Sequence, residues 1–228
     1  MNCRPSLSRL PYIAVLCGIA VFFLRSTLDS GGSSVPLIAF CLLMTVVFLL
    51  AAVSLEKKSE ASGVFHRMPL AAILAIVGAG LLAAGCLQGF AAAGMFAKIL
   101  ALLGVIAAAG LIAGQVFQLA GKQIPVYFFV FAVLFYVVKL FRDFRHWMVD
   151  PSVLDYCFML FALISFMIAT YQAGAFCFDK GSRRQLAFFS LTGVMFGASA
   201  LVGGDIAAML IYGGSALWML SCSLQALH

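Results

Sequence analysis

The sequence predicts an all-α polytopic integral membrane protein of about eight transmembrane helices, and three observations lead there. Hydrophobic residues make up 64% of the 228 residues and charged residues only 10%, far from the composition of a soluble domain. The apolar residues fall in continuous blocks, and about 20 such residues cross the roughly 30 Å hydrocarbon layer of a bilayer. These blocks are long and rich in Ala, Leu, Gly and Phe. Strand spans would instead be short and alternating, so the spans are helices.

The blocks run over 10–28, 35–55, 69–90, 95–119, 124–141, 154–178, 186–202 and 206–225. The first follows Arg4 and Arg9 as a signal peptide would. No small-residue cleavage site precedes the turn Ser30-Gly31-Gly32-Ser33-Ser34, so an uncleaved first helix is expected. Gly-Phe-Ala-Ala-Ala-Gly at 89–94 and Gly-Lys-Gln-Ile-Pro at 121–125 separate helices three, four and five. Asp150-Pro151 starts helix six, the aspartate as N-cap and the proline in the first helical position. The seventh block is short and is parted from the eighth only by Gly203, Gly204 and Asp205. A turn there gives eight helices and a re-entrant break gives seven. The whole chain, 1–228, reads as a single transmembrane domain.

Laying helix five over helix one divides the chain into two halves, 10–119 and 124–225, that would be parallel four-helix repeats. The pair Arg25 and Asp29 then falls on Lys139 and Asp143, a shift of 114 residues.

With both termini in the cytoplasm, nine Lys and Arg residues (Arg4, Arg9, Lys57, Lys58, Arg67, Lys122, Lys180, Arg183 and Arg184) share the inner face. Five face outward: Arg25, Lys98, Lys139, Arg142 and Arg145. The positive-inside rule supports this orientation, in the plasma (cytoplasmic) membrane. The net charge of +6 suits anionic lipid headgroups, and nothing in the chain offers a nucleic-acid platform.

Three of the five outward cations lie between Lys139 and Asp155, where seven ionisable side chains occupy seventeen residues. Either the helix count before this segment is off by one, or the segment is an interfacial helix among headgroups, or its charges pair and turn toward a polar chamber. If helix five continues past Leu140, Lys139 and Asp143 stand at i and i+4 and pair directly, while Arg142 and His146 share their face. Asp150 is explained as a cap. Asp155 is not, because a carboxylate beside Tyr156, Cys157 and Phe158 needs a partner, for which Arg142, Arg145 and His146 are candidates.

A second polar stripe, Gln115, Gln118 and Lys122, ends helix four, where the amides either bond neighbouring helices or line a cavity. Gln88 and Gln172 are further amides for such a cavity. Gly85/Gly89, Gly110/Gly114 and Gly193/Gly197 permit close helix crossings within the chain or in a homodimer. The seven cysteines show no metal-ligand spacing and read as small apolar residues. The histidines, His66, His146 and His228, are too few for a metal centre, and no motif asks for a cofactor.

The function expected is therefore movement of a small, anionic solute, with Lys139, Arg142, Arg145, His146, Asp155 and Gln115 as ligand-binding candidates and Asp143 and Asp150 in structural roles. One alternative is a non-transporting scaffold or subunit that meets a membrane partner through the same charges. Another is an interfacial lipid-modifying enzyme working through His146 with Asp150 or Asp155.

Overall fold

The computed structural model describes residues 7–29, 34–56, 68–90, 94–122, 124–147 and 153–227. Asp150 lies outside the described residues, as do the side chains of Asp29, His146 and Asp155. The described residues form eight α-helices: α1 (Leu10–Asp29), α2 (Val35–Val53), α3 (Pro69–Gly89), α4 (Met95–Leu119), α5 (Tyr127–Trp147), α6 (Val153–Ala175), α7 (Arg183–Ser199) and α8 (Ile206–Leu227). Among the described residues, six of them are long and apolar enough to cross a membrane.

The two that fall short do so for different reasons. α5 runs through the cluster of ionisable residues to Trp147, well beyond the apolar block that ends at 141. α7 has only 17 residues, about 25 Å at 1.5 Å per residue. Its wall is protein rather than lipid, since it packs on α1, α2, α6 and α8. A helix buried in this way can carry Ser190, Thr192 and Ser199 without exposing a hydroxyl to hydrocarbon, and all three bond carbonyls of their own helix. α2 is the opposite case. Leu42, Leu43, Val46, Leu49 and Leu50 are exposed on it, as a lipid-facing helix requires.

Helix ends follow local chemistry. Pro36 and Pro69 stand in the first turns of α2 and α3, where a missing N–H costs nothing. α4 closes with Gly121 at φ 69°, and the Lys122 N–H returns to the Phe117 carbonyl at 3.0 Å. Between α7 and α8 the chain turns through Gly203 at φ 75°, and the Asp205 carboxylate accepts the Ala208 N–H at 2.8 Å as a cap on α8. The residues Gly203 to Asp205 therefore join two separate helices.

Helices α3, α4, α5, α6 and α8 each touch the next, and α8 returns to α3, so these five close a ring. The α3–α8 crossing is the closest. A Cβ on Gly78 would lie 2.6 Å from the Gly214 carbonyl oxygen, and one on Gly214 would lie 2.5 Å from that of Gly78. Of the sequence-level glycine pairs, Gly85 faces Ile211 of α8, Gly110 faces Phe128 of α5, and Gly193 and Gly197 face Phe166 of α6. All serve packing within the chain. α1 and α2 lie outside the ring, against α7.

Candidate functional site

At one end of the ring, where α3 and α5 finish and α4, α6 and α8 begin, lies a cleft of about 350 Å³. That volume is within the range of small-molecule sites. α5 supplies Lys139, Arg142 and Asp143, the turn before α8 supplies Asp205, and α8 supplies Tyr212. Cys86, Leu100 and Met159 from α3, α4 and α6 complete the apolar part of the wall.

The i, i+4 spacing on α5 brings Lys139 Nζ to donate to Asp143 Oδ2 at 2.8 Å. Lys139 is only 8% exposed. A cation so deep must be compensated, and its second compensation is the Tyr212 ring, whose centroid is 5.3 Å from Nζ. Tyr212 Oη lies 3.5 Å from the same carboxylate oxygen. Asp143 therefore holds both a cation and a phenol. Arg142 is half-buried in the cleft wall and makes no ion pair among the described residues. Asp205 caps α8, so its charge is already engaged.

Below these charges an aromatic floor seals the ring. The Phe135 and Tyr136 rings lie 5.4 Å apart, Tyr136 is 5.7 Å from Phe166, and Phe166 is 6.4 Å from Tyr212. Tyr136 is fully buried and donates to Ser215 Oγ at 2.9 Å. Gly104 lets the floor close, because a Cβ there would collide with Cys86 Sγ and the Phe135 ring.

A second buried cation stands at the same end of the bundle. Arg25, 4% exposed, donates from Nη1 to the Ser199 carbonyl at 2.8 Å and lies 5.6 Å from the Phe158 ring centroid. It neutralises the carbonyl end of α7, the favoured place for a cation. At the opposite end, Arg183 donates to the Ala226 carbonyl at 2.6 Å and Arg184 to the Leu55 carbonyl at 2.7 Å, closing the ends of α8 and α2.

The sequence-derived candidates divide accordingly. Lys139, Arg142 and Asp143 meet in the cleft, with the direct pairing that their spacing implies. Arg145 is exposed and takes no part in the cleft wall. Gln115 is buried on α4 but lies away from the cleft. Gln172 bonds Gln185 and accepts the Ser182 N–H at 3.2 Å, so it is structural. Gln88 is exposed. Cys17, Cys41, Cys86 and Cys222 are buried free thiols, and the described residues contain no cluster able to hold a metal ion. Sequence reading missed Tyr212 and Cys86. Asp205 and Tyr212 are seven residues apart, a two-turn spacing that places both on one face of α8 and was the signal available.

No family model, curated protein or solved structure matches this chain.

Proposed function

We propose that this membrane protein moves a small solute with an anionic group, which binds in the cleft at Arg142. The observation that carries the reading is the division of labour among the charges. Asp143 neutralises Lys139 and Asp205 caps α8, which leaves the Arg142 guanidinium as the cleft's available cation among the described residues. A guanidinium offers five N–H donors in a planar fork suited to carboxylate and phosphate. Lys139 adds positive potential from below and shifts toward an incoming anion if Asp143 turns to Tyr212.

The scaffold alternative expects the charged segment to splay outward. Arg145 does so, but Lys139, Arg142 and Asp143 turn into the ring, which favours binding of a solute. In the transport reading all eight helices cross the bilayer, with the shorter α7 shielded by its neighbours. The cleft opens outward and both termini are cytoplasmic, in the plasma membrane. Arg25 and Lys139 are buried cations 114 residues apart at one end, but α3 packs on α8 with no comparable packing of α4 on α7 among the described residues, so a plan of two parallel four-helix units gains no support from the packing.

The test is uptake into proteoliposomes of a panel of small carboxylates and phosphates. Saturable uptake of at least one is expected, reduced about tenfold or more in Arg142→Ala, since a hydrogen bond to a charged group contributes ~1.5–3 kcal/mol. No saturable uptake from the panel, or equal uptake by the variant, overturns the reading.

A further inference from the structure

The cleft at Arg142 has a charged wall and an apolar one. Among the described residues it is lined by two cations, Lys139 and Arg142, and by two carboxylates, Asp143 and Asp205, so its formal charges cancel. Charge alone therefore offers an incoming anion little net attraction. The guanidinium can orient one anionic group, but most of the affinity has to come from the rest of the wall.

That wall has room to supply it. Gly89 on α3, Ala97 and Ala101 on α4, and Ala207 and Ala208 on α8 line the cleft with side chains no larger than a methyl. Small residues in a membrane bundle usually bring two backbones together. Gly85 does so, since a Cβ there would lie 2.8 Å from the Ala207 carbonyl oxygen and from the Ile211 side chain. Gly89, one turn further on, does not. Among the described residues a Cβ on it would meet the Ala101 Cβ alone, at 3.7 Å, an ordinary contact. Close helix packing thus does not account for the small residue at 89, and what it leaves is space in the cleft.

The outer surface at the same height is also apolar. Phe141 and Phe144 flank Arg142 and Asp143 on α5, Phe96 and Ile99 bracket Ala97 on α4, and Ile206 and Met209 bracket Ala207 and Ala208 on α8. All six are exposed, and none lines the cleft. Exposed Lys98 and Arg145 lie among them. Large apolar and aromatic side chains mixed with long cations are the pattern of the boundary between hydrocarbon and headgroups. An amphipathic molecule concentrates at that boundary, with its charge toward water and its chain toward the hydrocarbon.

We propose that the ligand of the cleft is an amphipathic anion, a single carboxylate or phosphate on one apolar chain, with the anionic group at Arg142 and the chain along Gly89, Ala101 and Ala208. The inference rests on the assignment of Arg142 in the transport reading and adds the chemistry of the rest of the solute. A multiply charged anion without an apolar part fits poorly, because Asp143 and Asp205 repel each further negative charge.

The test is calorimetric titration of the full chain, in nanodiscs of neutral phosphatidylcholine, with linear carboxylates from acetate to octanoate. Empty nanodiscs subtract partition into lipid. Affinity is expected to rise about fourfold with each added CH2 until the cleft is filled. Gly89→Leu puts a side chain where the ligand's chain would lie and should weaken octanoate binding about tenfold. Gly80→Leu, at an exposed position on α3 with nothing within 4 Å of an added Cβ, should bind octanoate as the wild type does. Equal affinity for acetate and octanoate overturns the inference and leaves the anionic group at Arg142 in place. The same octanoate affinity in both glycine variants also overturns it, because the gain then arises outside this wall. If no acid gives heat beyond that of empty nanodiscs, the inference and the anion reading fall together. Should Gly89→Leu not elute as folded protein, Ala208→Leu takes its place. Nanodiscs doped with lysophosphatidate separate the two sources of such an anion. Suppressed octanoate binding supports the proposal with a single-chain membrane lipid as ligand, and unchanged binding supports it with a dissolved acid.

Discussion

The two halves of the ring handle polarity in opposite ways. Around the cleft the groups carry full charge, and apart from Arg142 they are compensated: Lys139 by Asp143 and Tyr212, and Asp205 by the first turn of α8. In the far half, Gln115 Oε1, Trp218 Nε1, Ser221 Oγ and Gln225 Oε1 belong to neutral groups and have no hydrogen-bond partner among the described residues. A buried charge must be paired for the fold to exist at all, whereas a buried amide can be left unpaired at a moderate cost. Paired charge is therefore compatible with a purely structural role. Buried polar groups left unpaired lower stability, so the two halves are expected to answer substitution with opposite sign.

The most severe break strikes the seam that both halves share. Gly78→Leu and Gly214→Leu place side-chain atoms where the backbone of the facing helix lies within 2.6 Å of the first added carbon. Each is expected to destabilise by about 3 kcal/mol or more, the upper end of overpacking with backbone displacement, and to eliminate the monodisperse gel-filtration peak. Next comes the ion pair. Lys139→Ala or Asp143→Ala should cost about 3–5 kcal/mol by leaving one charge buried alone, while the double change Lys139→Met with Asp143→Leu should recover most of the loss in thermal unfolding. Equal losses in single and double variants would show that the pair is not the unit.

The far half is expected to respond with the opposite sign. Gln115→Leu removes an unsatisfied acceptor at nearly constant volume and should raise stability by about 1 kcal/mol. A loss of similar size would mean that the amide is bonded and the two halves are alike. The smallest effect concerns the cleft rim. Asp205→Ala should cost about 1 kcal/mol and Asp205→Asn only a few tenths, because either side chain of an Asp or Asn caps a helix. If Asn proves as costly as Ala, the carboxylate's charge matters beyond capping.

The sequence made the charged half more legible than the neutral one. Lys139 and Asp143 lie one turn apart on one helix, so spacing alone brings them together, and a glycine-glycine-aspartate run marks the start of α8. Tyr212 and Cys86 reach the cleft from α8 and α3, and only the packing of distant segments reveals that. Gln115 was visible as an amide in an apolar helix, but its separation from Lys139 depends on the floor of Phe135 and Tyr136 between them. The sequence showed the seventh helix as a short block, and the reason for its polar residues and length, enclosure by α1, α2, α6 and α8, became visible only in the packing. Arg25 shows the same limit, since its partner is a carbonyl 174 residues away.

The central claim is that Arg142 is the cation left available to an anionic solute. Thermal unfolding of purified wild type and Arg142→Ala across a panel of small carboxylates and phosphates tests it most directly. A ligand at 100 times its dissociation constant adds about 2.7 kcal/mol to the stability of the state that binds it. The expected result is that at least one anion raises the wild-type melting temperature and leaves that of Arg142→Ala unchanged, while the ligand-free proteins melt alike. An anion that stabilises both proteins equally, or a panel that stabilises neither, would contradict the claim.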